Sequence, residues 1–439
     1  MDIRFLVPIF VFFTGSYFLV RLGAVIVKTR RVSCNVGGFT LKKLGTLTLA
    51  LAGTLGVGNI FGVATALIIG GVGSVFWLLV SAVFSAVIKY AEVSLSLSFS
   101  ESGGGMIAVL KKSFGSLGHA LSKLYAMAAL ALGAVMGFAL QGGSLAECVS
   151  VSFGAPPVFC ALIMIILLLW IVSKKEVGIK NFTAFIIPLT TIIYIFMTLW
   201  IILQNGERLP YVIGAVLEDA FYLDSAASGV LGFLASSRVR EGFCGGILSN
   251  EAGAGTSSLA HSSGDGIGGV GGALEVLFDT VILCMLTAIS ILVCLPDISS
   301  YTSGVELVVA SVYSVFGSGG IGALSLVTLA FSLCTAACWY FYSIECVREL
   351  FGKSCGFAIS ALMAFFILLG ACTEGKYLVI ASHYLLLLLS ILSLSALIKN
   401  SDKVIKLTLS ERRAVLSTDR KITKGVFSNL KRRPKRKDG

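Results

Sequence analysis

The chain alternates between long apolar runs and short polar breaks. Runs long enough to cross a bilayer need about 17–25 residues. Such runs fall at residues 5–27, 43–69, 73–98, 118–146, 157–173, 182–203, 225–248, 272–295, 319–347, 355–372 and 374–398. They predict eleven membrane helices and an all-α fold. The run at 225–248 is the most interrupted, by Arg238, Arg240 and Glu241. Residues 304–316 are too short to span and are expected to form an external surface helix. Residues 264–272, GDGIGGVGG, read as a flexible connection. The first run leads into KTRR with no clear small-residue cleavage site. It is expected to be a retained helix, not a signal peptide.

Charge then orients the helices. Lys28, Arg30, Arg31, Lys42 and Lys43 lie between the first two runs, and Lys111 and Lys112 follow the third. Lys174, Lys175 and Lys180 follow the fifth, and Arg348 and Lys353 follow the ninth. With eleven helices all of these fall on one side, which positive-inside bias makes cytoplasmic. The N-terminus is then outside and the C-terminus inside, in the cytoplasmic membrane of a bacterium. From Asn400 onward there are 13 Lys/Arg against 4 Asp/Glu. This tail suits anionic lipid headgroups better than nucleic acid, because it follows a membrane helix directly.

Only 13% of the residues are charged, so little of the chain can form a soluble domain. The eleven cysteines are scattered through apolar stretches without a CxxC pair, which argues against a disulfide framework or a zinc site. No GxSxG, GxxxxGK[ST] or HExxH motif occurs. An enzyme is not expected, and neither is a cofactor. An ion gradient is the simpler energy source.

Residues 51–66, LAGTLGVGNIFGVATA, carry the strongest chemical signal. Glycine weakens a helix by ~1 kcal/mol relative to alanine. A glycine-rich segment at bilayer depth is either a close packing face, here Gly58 to Gly62, or an unwound site. If unwound, Gly56, Val57, Gly58 and Asn59 can offer backbone N–H groups to a carboxylate and carbonyls to a cation. Runs two to eleven number ten, and two halves of five run in opposite directions. That permits an inverted repeat. Both halves open with an interrupted glycine-bearing segment, Gly53–Gly62 and Gly229–Gly246.

Several polar residues sit where an apolar run would otherwise continue. Gln141 can donate and accept, which suits a zwitterion; an interhelical hydrogen bond is the plainer alternative. Asp279, one turn after Glu275, is an ion ligand, a proton carrier or a paired carboxylate near the interface. Glu92, one turn after Lys89, reads as a simple ion pair at a helix end. Ser249, Asn250, Glu251 and His261 form a polar cluster beside the seventh run, a cytoplasmic gate or a helix-capping turn. Thr335 offers oxygen to a hard cation. Trp339 lies one turn on and walls a small pocket or simply packs.

These blocks resemble the alanine/glycine:cation symporter family, also called sodium:alanine symporters. The resemblance rests on LGVGNIFGVATALIIGGVGSVFWLLVSAVFSAVIKYAE, SNEAGAGTSSLAH, LEVLFDTVILCMLTA and FSLCTAACWYFYSIEC, in that order. It implies a leucine-transporter-type fold of five plus five inverted helices with one extra helix first. The expected divisions are 1–42, 43–203, 204–398 and a basic tail, 399–439. It implies uptake of alanine, glycine or a similar small amino acid with a cation, usually sodium; a monomer is expected. The substrate would meet Thr54, Gly56, Gly58, Gln141 and Trp339. Sodium would meet carbonyls near Ala52 and Leu55, with Thr335 and its neighbour Cys334. The chain departs from the family pattern at Val57, Gly143, Gly245 and Cys334. A thiol is a soft, poor sodium ligand, so proton coupling through Asp279 or Glu275 stands beside sodium. A sensor that binds an amino acid without accumulating it is the reading from another class.

Overall fold

Lipid cannot satisfy a bare backbone, so a chain this apolar must bond its peptide groups within helices or a closed barrel. In a computed structural model, which describes residues 3–28, 41–99, 105–222, 236–261, 268–295, 297–353 and 355–409, it chooses helices. No strand occurs among the described residues. Seven helices are long and apolar enough to cross a bilayer, and a bent pair makes an eighth.

The helices are, in order, α1 (Leu6–Lys28), α2 (Leu41–Thr54), α3 (Phe61–Gly70), α4 (Ser74–Leu97), α5 (Gly105–Ser113) and α6 (Gly118–Leu132). Next come α7 (Leu140–Phe153), α8 (Pro157–Ser173), α9 (Lys175–Gln204), α10 (Leu209–Ala220), α11 (Ser237–Asn250) and α12 (Ser257–His261). The last are α13 (Gly269–Val276), α14 (Met285–Cys294), α15 (Gly304–Phe351), α16 (Gly356–Ala371) and α17 (Gly375–Lys399). A π-helical turn at Gly133–Ala139 joins α6 to α7, and another at Leu277–Cys284 joins α13 to α14. One span is broken by a bend, α2 turning into α3 at 56°. A second interruption lies where α11 stops at Asn250 and gives way to the short α12 through residues 251–256. With the shorter apolar helices α8 and α16, ten of the predicted runs have an apolar helical counterpart among the described residues; of the run at 225–248 only 236–248 is described, and α11 covers it from Ser237.

Small residues let the helices approach closely. A Cβ on Gly246 would stand 2.1 Å from Ser81 Oγ, so α11 lies hard against α4. A Cβ on Gly143 would stand 2.6 Å from the Gly370 carbonyl, where α7 crosses α16. The extra helix α1 is tied at both ends. Arg4 Nη1 lies 3.2 Å from Glu241 Oε1 on α11, and Arg21 Nη2 lies 2.8 Å from Asp402 Oδ1.

Four expectations are corrected. The second interruption does not fall within the described part of Gly229–Gly246: Gly245 and Gly246 are packing positions inside α11, and a break comes after Asn250. Gly229 lies outside the described residues. Residues 304–316, the first part of α15, are a helix set off from the ninth span by a kink at Gly317 (φ 60°, ψ −151°), but they do not lie on the surface: Val305, Leu307, Val308 and Val312 are buried, and a Cβ on Gly304 would meet the Phe61 carbonyl at 2.5 Å. The connection at 264–272 is shorter than its glycines suggest, because α13 already begins at Gly269. Helical backbone resumes at 401–409, so the tail starts with more helix; residues 410–439 lie outside the described residues.

Candidate functional site

The first break is built from neutral groups. After Thr54 the chain extends at Gly56 (φ −141°, ψ −161°) and makes one 3-10 turn, Val57–Asn59. The amides freed there turn to side chains. Gly56 N–H donates to Asn59 Oδ1 at 3.3 Å, and Val57 N–H donates to Gln141 Oε1 at 3.4 Å. Gln141 is held in turn, its Nε2 donating to the Met136 carbonyl at 3.2 Å in the π-turn. On the other side Thr335 Oγ1 donates to the Leu55 carbonyl at 3.2 Å. Thr287 Oγ1 donates to the Asn59 carbonyl at 3.0 Å and lies 2.7 Å from the Tyr194 hydroxyl. A Cβ on Gly56 would fall 2.6 Å from Thr335 Oγ1, so no larger residue fits between the break and α15.

A small enclosed space of about 10 Å³ sits at this break, lined by Gly53, Thr54, Gly56, Gly58, Gln141 and Thr335 among others. It has room for about one water. A larger cavity of about 460 Å³ reaches Val57 and Leu140, with Glu147, Glu306 and Glu374 in its walls. Leu140 lines both spaces, so the wall between them is thin.

The second break is built from charge. α11 ends at Asn250, and Glu251 takes a left-handed conformation (φ 54°, ψ 22°). Lys89, fully buried on α4, donates to the Asn250 carbonyl and lies 3.5 Å from Glu275 Oε2. The other oxygen of Glu275 contacts His261 Nε2 at the end of α12. Ser249 Oγ donates to Asp279 Oδ1 at 2.7 Å, and Asn250 Nδ2 donates to Thr280 Oγ1 at 2.9 Å. Glu92 accepts from Ser393 Oγ at 3.0 Å. Glu92, Glu251, Glu275, Asp279, Lys89 and His261 are all essentially closed to solvent.

The structure therefore gathers Thr54, Gly56, Gly58, Asn59, Gln141, Leu55 and Thr335 at one place. Trp339 is not in the wall of the small space. It packs on the π-turn, where a Cβ on Gly137 would lie 2.4 Å from its Cγ, and meets Tyr342 edge-on at 5.4 Å. Ala52 and Cys334 are fully buried nearby but outside that lining. Ser249, Asn250, Glu251 and His261 lie inside the bundle, not beside it. Lys89 does not form the expected helix-end pair with Glu92: its ionic partner is Glu275. Sequence reasoning missed this network. The available signal was a lysine in the middle of an apolar run, expensive in a membrane and therefore in need of a partner.

The two interrupted helices pack on one another inside an all-helical bundle, an architecture of the leucine-transporter type. The fold is that of MhsT, solved in complex with L-phenylalanine, at a TM-score of 0.57 and 16% identity over 75% of this chain and 78% of that one. A manganese transporter from Eremococcus coleocola shares it at a TM-score of 0.50 and 12% identity, over 81% of this chain and 75% of that one. Partners so different show that this likeness carries the architecture alone.

The chain belongs to the sodium:alanine symporter family, whose sequence profile it matches over residues 3–419. It is 29% identical to the sodium/alanine symporter AgcS of Methanococcus maripaludis, over 70% of each chain. It is 31% identical to YrbD of Bacillus subtilis, a putative sodium/proton-dependent alanine carrier, over 67% of this chain and 64% of that one. It is thus a multi-pass membrane protein of a transporter family, not an enzyme. Cation-coupled amino-acid transport is the activity that family and fold support together.

Proposed function

We propose that the protein carries a small neutral amino acid, such as alanine or glycine, together with sodium or a proton by alternating access. The observation that carries this reading is the first break. There, backbone amides, the Gln141 amide and the Thr335 hydroxyl converge on a space too small for a bulky side chain. A ligand enters only if the walls part, and Leu140 and Val57 form the wall toward the large cavity. That cavity serves as the outer vestibule, since the N-terminus is outside and the basic loops are cytoplasmic. The membrane is a bacterial cytoplasmic membrane, and the basic tail rests on anionic headgroups. The extra helix, 1–42, precedes the halves 43–203 and 204–398, which rock against each other in a monomer.

In the substrate site Thr54, Gly56, Gly58 and Asn59 shape the backbone cradle, Gln141 reads the zwitterion, and Trp339 backs the wall from the next turn. The carbonyls of Ala52 and Leu55 with Thr335 suit sodium, while Cys334 weakens that set. Asp279 is the alternative coupling group.

Radiolabelled L-alanine uptake into proteoliposomes tests this, under an imposed sodium gradient and then a proton gradient. Concentrative uptake under at least one gradient is expected. One charge crossing at 100 mV contributes ~2.3 kcal/mol. Saturable alanine binding with no accumulation under either gradient would overturn transport and favour the sensor.

A further inference from the structure

We propose that Glu251 is a proton-binding site built into the hinge of the second broken helix. Its backbone is one of two non-glycine positions with positive φ among the described residues, the other being Lys175. Left-handed backbone in a non-glycine residue concentrates at functional and switching sites. The side chain is buried. Oε2 accepts from Thr256 Oγ1 across the break, and Oε1 has no hydrogen-bond partner.

The charge count shows why a proton belongs here. Four buried carboxyls, Glu92, Glu251, Glu275 and Asp279, face one lysine and one histidine. Glu275 takes both, with Oε1 on His261 Nε2 and Oε2 3.5 Å from Lys89 Nζ. Glu251 and Asp279 are left with hydroxyl donors from Thr256 and Ser249, and Glu92 with the Ser393 hydroxyl and the backbone amides of Gly253 and Gly255. An ionised carboxylate in a dry interior is strongly disfavoured without a cationic partner. A bound proton neutralises such a carboxyl without a second charged partner.

Of the three, Glu251 sits on the hinge. Lys89 already donates to the carbonyl of Asn250, its chain neighbour. A rotation of α12 against α11 therefore changes the separation of Lys89 and Glu251 directly. The lysine serves Glu275 when Glu251 is protonated. When the hinge brings it to Glu251, the carboxyl releases its proton to solvent and takes the ammonium as counter-ion. The titratable groups that act on Glu251 are Lys89 and Glu92 from α4, Tyr125 from α6, Glu275 from α13, Asp279 from the following π-turn, and Cys338 and Tyr342 from α15. His261 on α12 acts through Glu275. α5 and α17 present Met106, Ser390 and Ser393 to the break, none of them charged.

The test is a pH titration of the full-length protein in lipid nanodiscs by infrared difference spectroscopy, following the carbonyl stretch of protonated carboxylic acids. The wild type is expected to lose that band in separable steps. Glu251→Gln removes one step and keeps the others. Glu275→Gln frees Lys89 for Glu251, which favours the ionised carboxylate and moves that step to lower pH. Thr256→Val removes the donor to the ionised form and moves it to higher pH. An unchanged titration in Glu251→Gln overturns the proposal. Should that variant fail to fold, an unchanged titration in Thr256→Val does the same. The site does not rest on the transport reading, and the measurement needs no substrate, so it fails or succeeds separately from alanine uptake.

Discussion

The two broken helices solve one problem with opposite chemistry. Each interrupts a membrane helix and must satisfy the freed backbone. At the first, between α2 and α3, the partners are an amide and hydroxyls: Gln141, Asn59, Thr335 and Thr287. At the second, between α11 and α12, the partners include a buried lysine, a histidine and carboxyls. Neutral partners hold a backbone in place without committing charge, so the first break can present itself to a zwitterion. Charged partners in a low dielectric make a geometry that changes sharply when one proton or one contact changes. On the proposed reading the first break recognises and the second switches.

The largest effect should come from breaking the charged side. Lys89→Met leaves Glu275 with His261 alone and removes the donor to Asn250. Loss of one member of a buried pair costs about 3–5 kcal/mol. The variant is expected to unfold far below the wild-type temperature in a detergent melt. A wild-type melt would mean that Glu275 is neutral and the network is not ionic.

A smaller effect is expected at the neutral side. Gly56→Ala pushes a methyl against Thr335 Oγ1, 2.6 Å away in the present geometry. Overpacking of this kind costs about 1–3 kcal/mol of folding stability, and the shift it forces on Thr335 is expected to weaken alanine binding. Binding of labelled alanine by scintillation proximity reads the second effect, beside a melt lowered by less than in Lys89→Met. Unchanged affinity would remove the first break from the site and with it the contrast between the two breaks.

The smallest effect sharpens the ion question. Cys334→Ser places a hard oxygen beside Thr335. If Cys334 stands among the sodium ligands, the sodium concentration for half-maximal uptake should fall several-fold, toward the ~1 kcal/mol of one added hydrogen-bond-strength contact. No change would assign the coupling to the charged break instead.

Sequence and structure agree most where periodic burial decides. Ten of the apolar runs became apolar helices because each had to bond its own backbone in lipid. The unwinding at Gly56 was legible for a similar reason, since glycines at bilayer depth leave few other options. The second break was misplaced because Gly242, Gly245 and Gly246 carry the same signal for a different reason: they let α11 lie on α4. Glycine count does not distinguish an unwound turn from a tight crossing. The family departure at Gly143 is read the same way, because a Cβ there would meet the Gly370 carbonyl of α16. The position is fixed by helix packing before any substrate is considered.

By itself, then, the sequence determined the all-helical class, the apolar surroundings and the residues of the first break, because hydropathy and backbone propensity are local properties. It named Ser249, Asn250, Glu251 and His261 but not their setting. Only the tertiary structure joined Lys89 to Glu275 across 186 positions of chain, turned Trp339 away from the small space, and placed Glu251 at the hinge among buried charges. Electrostatic partnership in a dry interior depends on which groups are brought within a few ångströms, and that distance is written in no single segment.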